Sequence, residues 1–213
     1  MPEGLPKDPD EFLPTRQSLL ERIRNLEDQT SWNDFFEIYW KLIYSVARRS
    51  GLSNAEAQDV VQETVLSVTR KIEGFTYDPQ RGSFKAWLKR LTQWRVVDFV
   101  RKKQYQVKGE RLPKEEPLRT ALADRQESPV FAEMEQAWDE EWEQHVLRLA
   151  LQRVKQLVEA RQYQFFYFHV IKKFPAKEVA KRLNAKLNDV YAAKYKLSEL
   201  LKQAIEELDK EGE

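Results

Sequence analysis

The chain has 213 residues with a net charge of +1; 33% of the residues are charged and 41% are hydrophobic. The absence of cysteine excludes disulfides and thiolate metal sites, and two histidines are too few for most metal centres. Only six glycines occur, and no Asn-Gly or Asp-Gly hairpin signal is present, so the sequence predicts an all-α protein. Without a signal peptide or an apolar run of about 20 residues, the sequence predicts a cytoplasmic protein with no membrane insertion.

Charge is distributed in blocks along the chain. Residues 81–111 carry ten basic side chains against two acidic ones, and residues 172–202 carry nine against three. Between these blocks, residues 124–143 carry eight acidic side chains and a single arginine. Two basic blocks are typical of two contacts with one polyanion, although solvated helix faces would give a similar pattern.

The first third of the chain predicts three helices in succession after a disordered segment at residues 1–14. A short helix, capped by Thr15 or Ser18, runs to about residue 28. The next helix has Thr30 and Ser31 as caps and ends at Gly51.

A third helix follows with its own start signal. Ser53 is its cap, Glu56 completes a capping box, and Gly74 is its stop. Its apolar stripe is predicted to face inward and consists of Ala57, Val60, Val61, Val65, Leu66, Val68 and Ile72.

The stretch FKAWLKRLTQWRVVDFVRKK, residues 84–103, predicts a fourth helix that changes faces midway. At about 100° per residue its first half has one apolar stripe: Phe84, Trp87, Leu88 and Leu91. The same stripe continues as Arg95, Asp98 and Lys102. The first half is therefore expected to pack in the core, and the second half to present charge.

Prolines 113, 117 and 129 and a charged composition predict a linker at residues 104–129. The linker would separate a helical domain at residues 15–103 from a second one at residues 130–213. In the second domain we expect a helix over 131–158 with Phe131, Trp138, Trp142, Val146, Leu149 and Val154 inward. The apolar run QYQFFYFHVIKKF is then expected to form a buried helix.

The segment after Pro175 predicts a helix-turn-helix. A short helix at residues 176–183 is followed by a turn at residues 184–186, and a long helix begins near Asn188 as its cap. Ala180 is small enough to let the two helices cross closely, and Val190 lies early in the second helix. Many helical hairpins share this pattern, so it is compatible with DNA binding without establishing it.

Three segments together resemble the small, extracytoplasmic-function type of bacterial RNA polymerase sigma factor. NAEAQDVVQETVLSV resembles the polymerase-binding helix of that family, GSFKAWLKRLTQWRVVDFVRKK its promoter-melting helix, and PAKEVAKRLNAKLNDVYAAKYKL its carboxy-terminal helix-turn-helix. Order and spacing agree over residues 31–207. The chain departs from the family at Trp94, where Asn is frequent, and at Asn184, where Gly is frequent.

The resemblance implies three sets of site residues. Core polymerase would be bound by Asp59, Gln62, Glu63, Val60 and Leu66. Melting and reading of the downstream promoter element would involve Phe75, Tyr77, Lys85, Lys89, Arg90, Trp94, Arg95, Asp98, Arg101 and Lys102. The upstream element would be read by Lys177, Lys186, Asn188, Asp189, Tyr191, Ala192, Lys194, Tyr195 and Lys196.

The implied partners are bacterial core RNA polymerase and promoter DNA, as duplex and as melted strand, and an anti-sigma factor is a further partner that the resemblance allows. No cofactor or metal is expected, and the chain is not expected to be an enzyme. An alternative function is a helix-turn-helix regulator that never binds polymerase. A helical enzyme is a third alternative, but the sequence has no P-loop, metal-ligand spacing or catalytic histidine–carboxylate pairing.

Overall fold

A computed structural model of the protein describes residues 16–72, 83–108 and 129–210, and every regular element in these ranges is a helix. The fold is therefore all-α, as the composition predicted. The helices are α1 (Arg16–Arg22), α2 (Gln29–Arg49), α3 (Asn54–Lys71), α4 (Phe84–Lys108), α5 (Pro129–Leu157), α6 (Ala160–Phe166), α7 (Ala176–Arg182) and α8 (Leu187–Lys210), with a π-helical turn at Tyr167–Ile171 after α6. The segment 1–14, which the sequence predicts to be disordered, lies outside the described residues.

The chain divides into two compact units, which are described separately. The first unit contains the described residues between 16 and 145, and the second contains residues 146–210. Residues 129–145 of α5 group with the first unit, and the rest of α5 groups with the second. The helix α4 continues to Lys108, into the segment from which the sequence predicts a linker.

The core of the first unit forms where the apolar faces of α2, α3 and α4 meet. Phe35, Tyr39, Val60, Phe84 and Leu88 are all at most 1% exposed. The rings of Phe35 and Tyr39 lie 6.2 and 5.4 Å from the ring of Phe84, in edge-on and tilted orientations that aromatic pairs favour. This packing fixes α4 against α2, and the exposed face of α4 is thereby defined.

The helix α3 starts as its sequence predicts. The Ser53 hydroxyl accepts a hydrogen bond from the Glu56 backbone N–H, and the Glu56 carboxylate accepts one from the Ser53 N–H at 2.7 Å. The capping box is therefore complete. The predicted stop at Gly74 lies outside the described residues, and the helix ends at Lys71.

Two predictions about α2 and α3 are wrong. The N-cap of α2 is Asp28, whose carboxylate accepts from the Ser31 N–H at 3.0 Å, rather than Thr30 or Ser31. On α3, Leu66 is 46% exposed, because the buried stripe passes through Thr64 and Ser67 instead.

In the second unit, α6, α7 and α8 pack around a small core of buried side chains: Phe165, Ala176, Val179, Ala180, Val190 and Ala193. Between α7 and α8 the chain turns through Asn184, whose φ of +46° is left-handed. Asparagine tolerates this conformation better than most residues other than glycine, as expected for this position.

Two local predictions for the second unit are also wrong. The helix α8 begins at Leu187, so Asn188 is not its cap; instead the Asp189 carboxylate accepts from the Lys186 N–H at 3.1 Å. The apolar run at residues 162–174 is not a single buried helix. Only Phe165 and Phe166 in it are buried, and a π-helical turn follows them.

Among the helices of the described residues, none combines the length and the apolar character required to cross a membrane.

Candidate functional site

The exposed side of α3 presents a mixed polar and apolar surface, which we call the α3 surface: Asp59, Gln62, Glu63 and Leu66. Asp59 and Gln62 are exposed, Glu63 is half-buried, and Leu66 adds an exposed apolar side chain one turn beyond Gln62. Val60, which the resemblance assigned to the same contact, is fully buried in the core and is not part of this surface. The burial of Val60 anchors the helix, while the α3 surface is available to a protein partner.

The basic side chains in the first half of α4 occupy different environments. Arg90 is exposed, whereas Lys85 and Lys89 are half-buried. The Lys89 ammonium lies 3.2 Å from a Glu135 carboxylate oxygen and 3.7 Å from one of Asp139. Lys85 lies over the ring of Trp142 at 5.2 Å, a cation–π distance.

Trp94 is one of the residues that line a cavity of about 440 Å³. The others are Ala86, Lys89, Arg90, Gln93, Phe131 and Glu135. The Lys71 ammonium lies 4.9 Å from the centroid of the Trp94 ring, and burial together with nearby Arg95 lowers the pKa of Lys71. Gln93 is 3% exposed, and its side-chain N–H₂ has no partner among the described residues. The cavity thus combines an aromatic face, cations and a buried amide donor.

Arg95 connects α4 to α3. Its Nε and Nη2 donate to the Ser67 hydroxyl oxygen at 3.0 and 2.7 Å, and its Nη1 lies 3.7 Å from an Asp98 oxygen. Ser67 in turn donates to the Glu63 carbonyl at 2.7 Å. The guanidinium predicted to meet a phosphate is therefore already engaged within the unit.

The end of α4 carries further predicted DNA contacts. Lys102 is exposed, and Arg101 is half-buried with its guanidinium 5.6 Å from the ring centroid of Tyr105. Phe75 and Tyr77 lie outside the described residues.

The contact between the first part of α5 and the rest of the first unit was missed by the sequence reasoning, which assigned residues 130–145 to the second domain. Met134, Trp138 and Trp142 are at most 2% exposed there. Arg49 of α2 forms ion pairs with Glu140 and Glu141, and the pairing lowers the pKa of Glu140 and raises that of Arg49. The opposite charges of residues 81–111 and 124–143 were the signal that could have found this contact.

In the second unit the predicted DNA-reading residues share the solvent face of α7, α8 and the turn between them. Tyr191 and Tyr195 are 50% and 75% exposed, which is unusual for aromatic side chains. The other exposed members of this α8 surface are Lys177, Lys186, Asn188, Asp189, Ala192, Lys194 and Lys196.

Two contacts restrain side chains of the α8 surface. The Lys196 ammonium donates to the Gln162 side-chain oxygen at 3.3 Å, and Asp189 caps its own helix. His169, which sequence reasoning did not select, lies with its ring edge-on to Tyr191 at 6.0 Å, and its Nδ1 is 2.9 Å from the Phe174 carbonyl oxygen.

No group of three or more His, Asp or Glu side chains with the spacing of a metal site occurs in the part of the chain that the structure describes. The surfaces above present charged groups, hydrogen-bonding groups and exposed aromatic rings.

Residues 35–105, from α2 to α4, match Sigma-70 region 2, so the first unit carries a sigma-factor domain. A similar curated protein is the "ECF RNA polymerase sigma factor SigE" of Mycolicibacterium smegmatis, which is 26% identical over 102 residues. Both matches are to RNA polymerase sigma factors, and the curated relative is of the extracytoplasmic-function type that the sequence resembles.

The alignment with the mycobacterial relative covers 48% of this chain and 38% of that protein, so the chain spans well under half of the relative's length. A solved structure of CnrH in complex with the cytosolic domain of CnrY is 17% identical and covers 93% of this chain and 98% of that chain. Its TM-score of 0.34 is too low to support an inference.

Proposed function

We propose that this chain is a promoter-specificity subunit that binds core RNA polymerase, reads two promoter elements and assists melting of the nearer one. The observation that carries the proposal is the Sigma-70 region 2 match over residues 35–105, in which the α3 surface and the exposed Arg90 and Lys102 of α4 lie on the outside of one packed core. Such a subunit would act in the cytoplasm and perform no bond chemistry itself. An anti-sigma factor remains a predicted partner.

The α3 surface is our proposed polymerase contact. Exposed carboxylate and amide groups bind arginines of a protein partner well, and Leu66 would add apolar contact area. The double substitution Asp59→Ala and Gln62→Ala should abolish co-purification with core polymerase while the far-ultraviolet circular dichroism stays unchanged. A matched control is Asp209→Ala with Gln203→Ala, since both side chains are exposed on α8. If the two double variants co-purified equally with core polymerase, the α3 surface would not be the polymerase contact.

The cavity beside Trp94 is our proposed subsite for an unstacked promoter base. A base that stacks on an aromatic ring gains about 1–3 kcal/mol, comparable to the cost of unstacking it. Trp94→Ala should slow open-complex formation on a duplex promoter, and a template melted beforehand should restore the rate. An equal defect on both templates would mean that Trp94 does not act in melting.

The α8 surface is our proposed reader of the upstream element. Lys194→Ala should weaken binding to upstream DNA and lower the slope of log K against log salt by about one unit, the amount expected for one lost phosphate contact. Lys202→Ala, an exposed lysine farther along α8 that pairs with Glu206 at 3.9 Å, is the control and should leave the slope unchanged.

Transcription by purified core polymerase on a promoter library, with and without this chain, tests the proposal as a whole. We expect chain-dependent transcripts that share two sequence elements. A chain that binds operator DNA but never supports transcription would instead fit the alternative of a polymerase-independent helix-turn-helix regulator.

A further inference from the structure

The acidic first part of α5 contacts Lys89 of α4. Residues 133–143 contain six carboxylates, and those of Glu135 and Asp139 both reach the Lys89 ammonium. The two carboxylates are four residues apart and therefore occupy one face of α5, one turn from each other. Two carboxylates therefore lie near the Lys89 ammonium, as phosphates lie near a cation that is bound to a nucleic-acid backbone.

We propose that residues 129–145 are a built-in competitor for DNA, in which the carboxylates of Glu135 and Asp139 occupy Lys89 of α4 in place of phosphates. The inference rests on the proposed function, because it takes Lys89 to be a promoter contact. In the absence of DNA, these carboxylates lower the affinity of the first unit for any polyanion.

The competition requires only that the side chains of Glu135 and Asp139 move, while the helix α5 stays packed. Met134 and Trp138 on the same part of α5 are fully buried, and removal of such side chains from the core is far more costly than breaking an exposed ion pair. The side chains of Glu135 and Asp139 are 55% and 61% exposed, whereas that of Lys89 is only 20% exposed. The carboxylates can therefore turn into water while Lys89 stays in place to meet a phosphate.

The test compares two single substitutions on the same helix. Glu135→Gln removes one charge from Lys89, and Glu143→Gln removes the same charge from an exposed position that forms no ion pair with the described residues. The binding of each full-length variant to a fluorescein-labelled duplex is measured by anisotropy at low salt. Glu135→Gln should bind about two- to fivefold more tightly than Glu143→Gln, the range expected for one exposed ion pair.

Two further measurements identify the cause of that difference. In a Lys89→Gln background the advantage of Glu135→Gln should disappear, because the two substitutions act on one interaction. The advantage should also shrink as salt is raised, since exposed ion pairs are screened. Unchanged urea unfolding of the Glu135→Gln variant checks that the helix stays packed.

The proposal is overturned if Glu135→Gln binds DNA no more tightly than Glu143→Gln, including the case in which neither binds, or if its advantage persists without Lys89. These outcomes are separate from the transcription experiment. A chain that supports transcription but shows no difference between the two variants refutes only the competitor, whereas a chain that shows the difference but no transcription refutes the sigma-factor function.

Discussion

Replacement of Phe84 by alanine should destabilise the first unit by about 3–5 kcal/mol, the usual cost of removing a buried phenylalanine side chain. Phe84 is 0% exposed, and its ring lies 5.4–6.2 Å from those of Phe35, Tyr39 and Trp87. The cavity left by the substitution would lie where α4 meets α2. Because a domain has only about 5–15 kcal/mol of stability, the substitution should remove a large part of it.

Urea unfolding followed by tryptophan fluorescence measures this loss. All six tryptophans lie between residues 32 and 142, within the first unit, so their emission reports on its unfolding. With a urea slope of about 2 kcal/mol per M, the midpoint should fall by about 1.5–2.5 M.

The control is Phe36→Ala, which makes the same chemical change at a ring that is 40% exposed and stacks on Trp40 at 6.3 Å. Loss of that contact should cost about 1 kcal/mol. If the two variants shifted the midpoint equally, Phe84 would not be the centre of the packing that holds α4, and the assignment of the exposed face of α4 would lose its basis.

Three further changes test local features of the fold. Ser53→Ala should cost about 1 kcal/mol in the same urea assay through loss of the α3 cap, and an unchanged midpoint would mean that the capping box contributes nothing. The hydrogen bond from the Ser53 N–H, together with Lys103, lowers the pKa of Glu56 to about 2, below its ordinary value of 4.5. The stability that Glu56 contributes is therefore present above pH 4.5 and is lost as the pH falls towards 2. Glu56→Gln should flatten the dependence of stability on pH in that window; an identical profile would contradict this. Asn184→Val should lower the melting temperature of the second unit, because a β-branched residue at φ +46° costs about 1–2 kcal/mol. Asn184→Gly should leave that temperature unchanged, and circular dichroism measures both. Equal melting temperatures of the two variants would contradict the idea that backbone strain at this position matters.

Features that depend on neighbouring residues could be predicted from the sequence. The capping box of α3 requires only Ser53 and Glu56 three residues apart, and the solvent positions of Asp59 and Gln62 follow from the spacing of the apolar residues around them. Selection of the α2 cap was harder, because capping side chains occur at residues 28, 30 and 31. The choice of Asp28 depends on which register places Phe35 and the rest of the apolar face against the core.

Features that depend on distant residues could not be predicted in this way. The ion pairs of Lys89 join residues 46 and 50 positions apart in the chain, and no local pattern specifies which carboxylates they involve. In the sequence, Ser67 interrupts the apolar stripe of α3 with a polar side chain. It is buried because the Arg95 guanidinium supplies its hydrogen bonds from another helix.

That serine has a consequence for the proposed function, in which one small domain would contact both polymerase and DNA. Glu63, Ser67 and Arg95 form a chain of two links, backbone carbonyl to hydroxyl and hydroxyl to guanidinium, between the proposed polymerase side and the proposed DNA side of one small domain. If polymerase binding displaced α3, the Ser67 hydroxyl that holds the Arg95 guanidinium would move with the helix. On that proposal, the two contacts would be linked through side chains of a single domain.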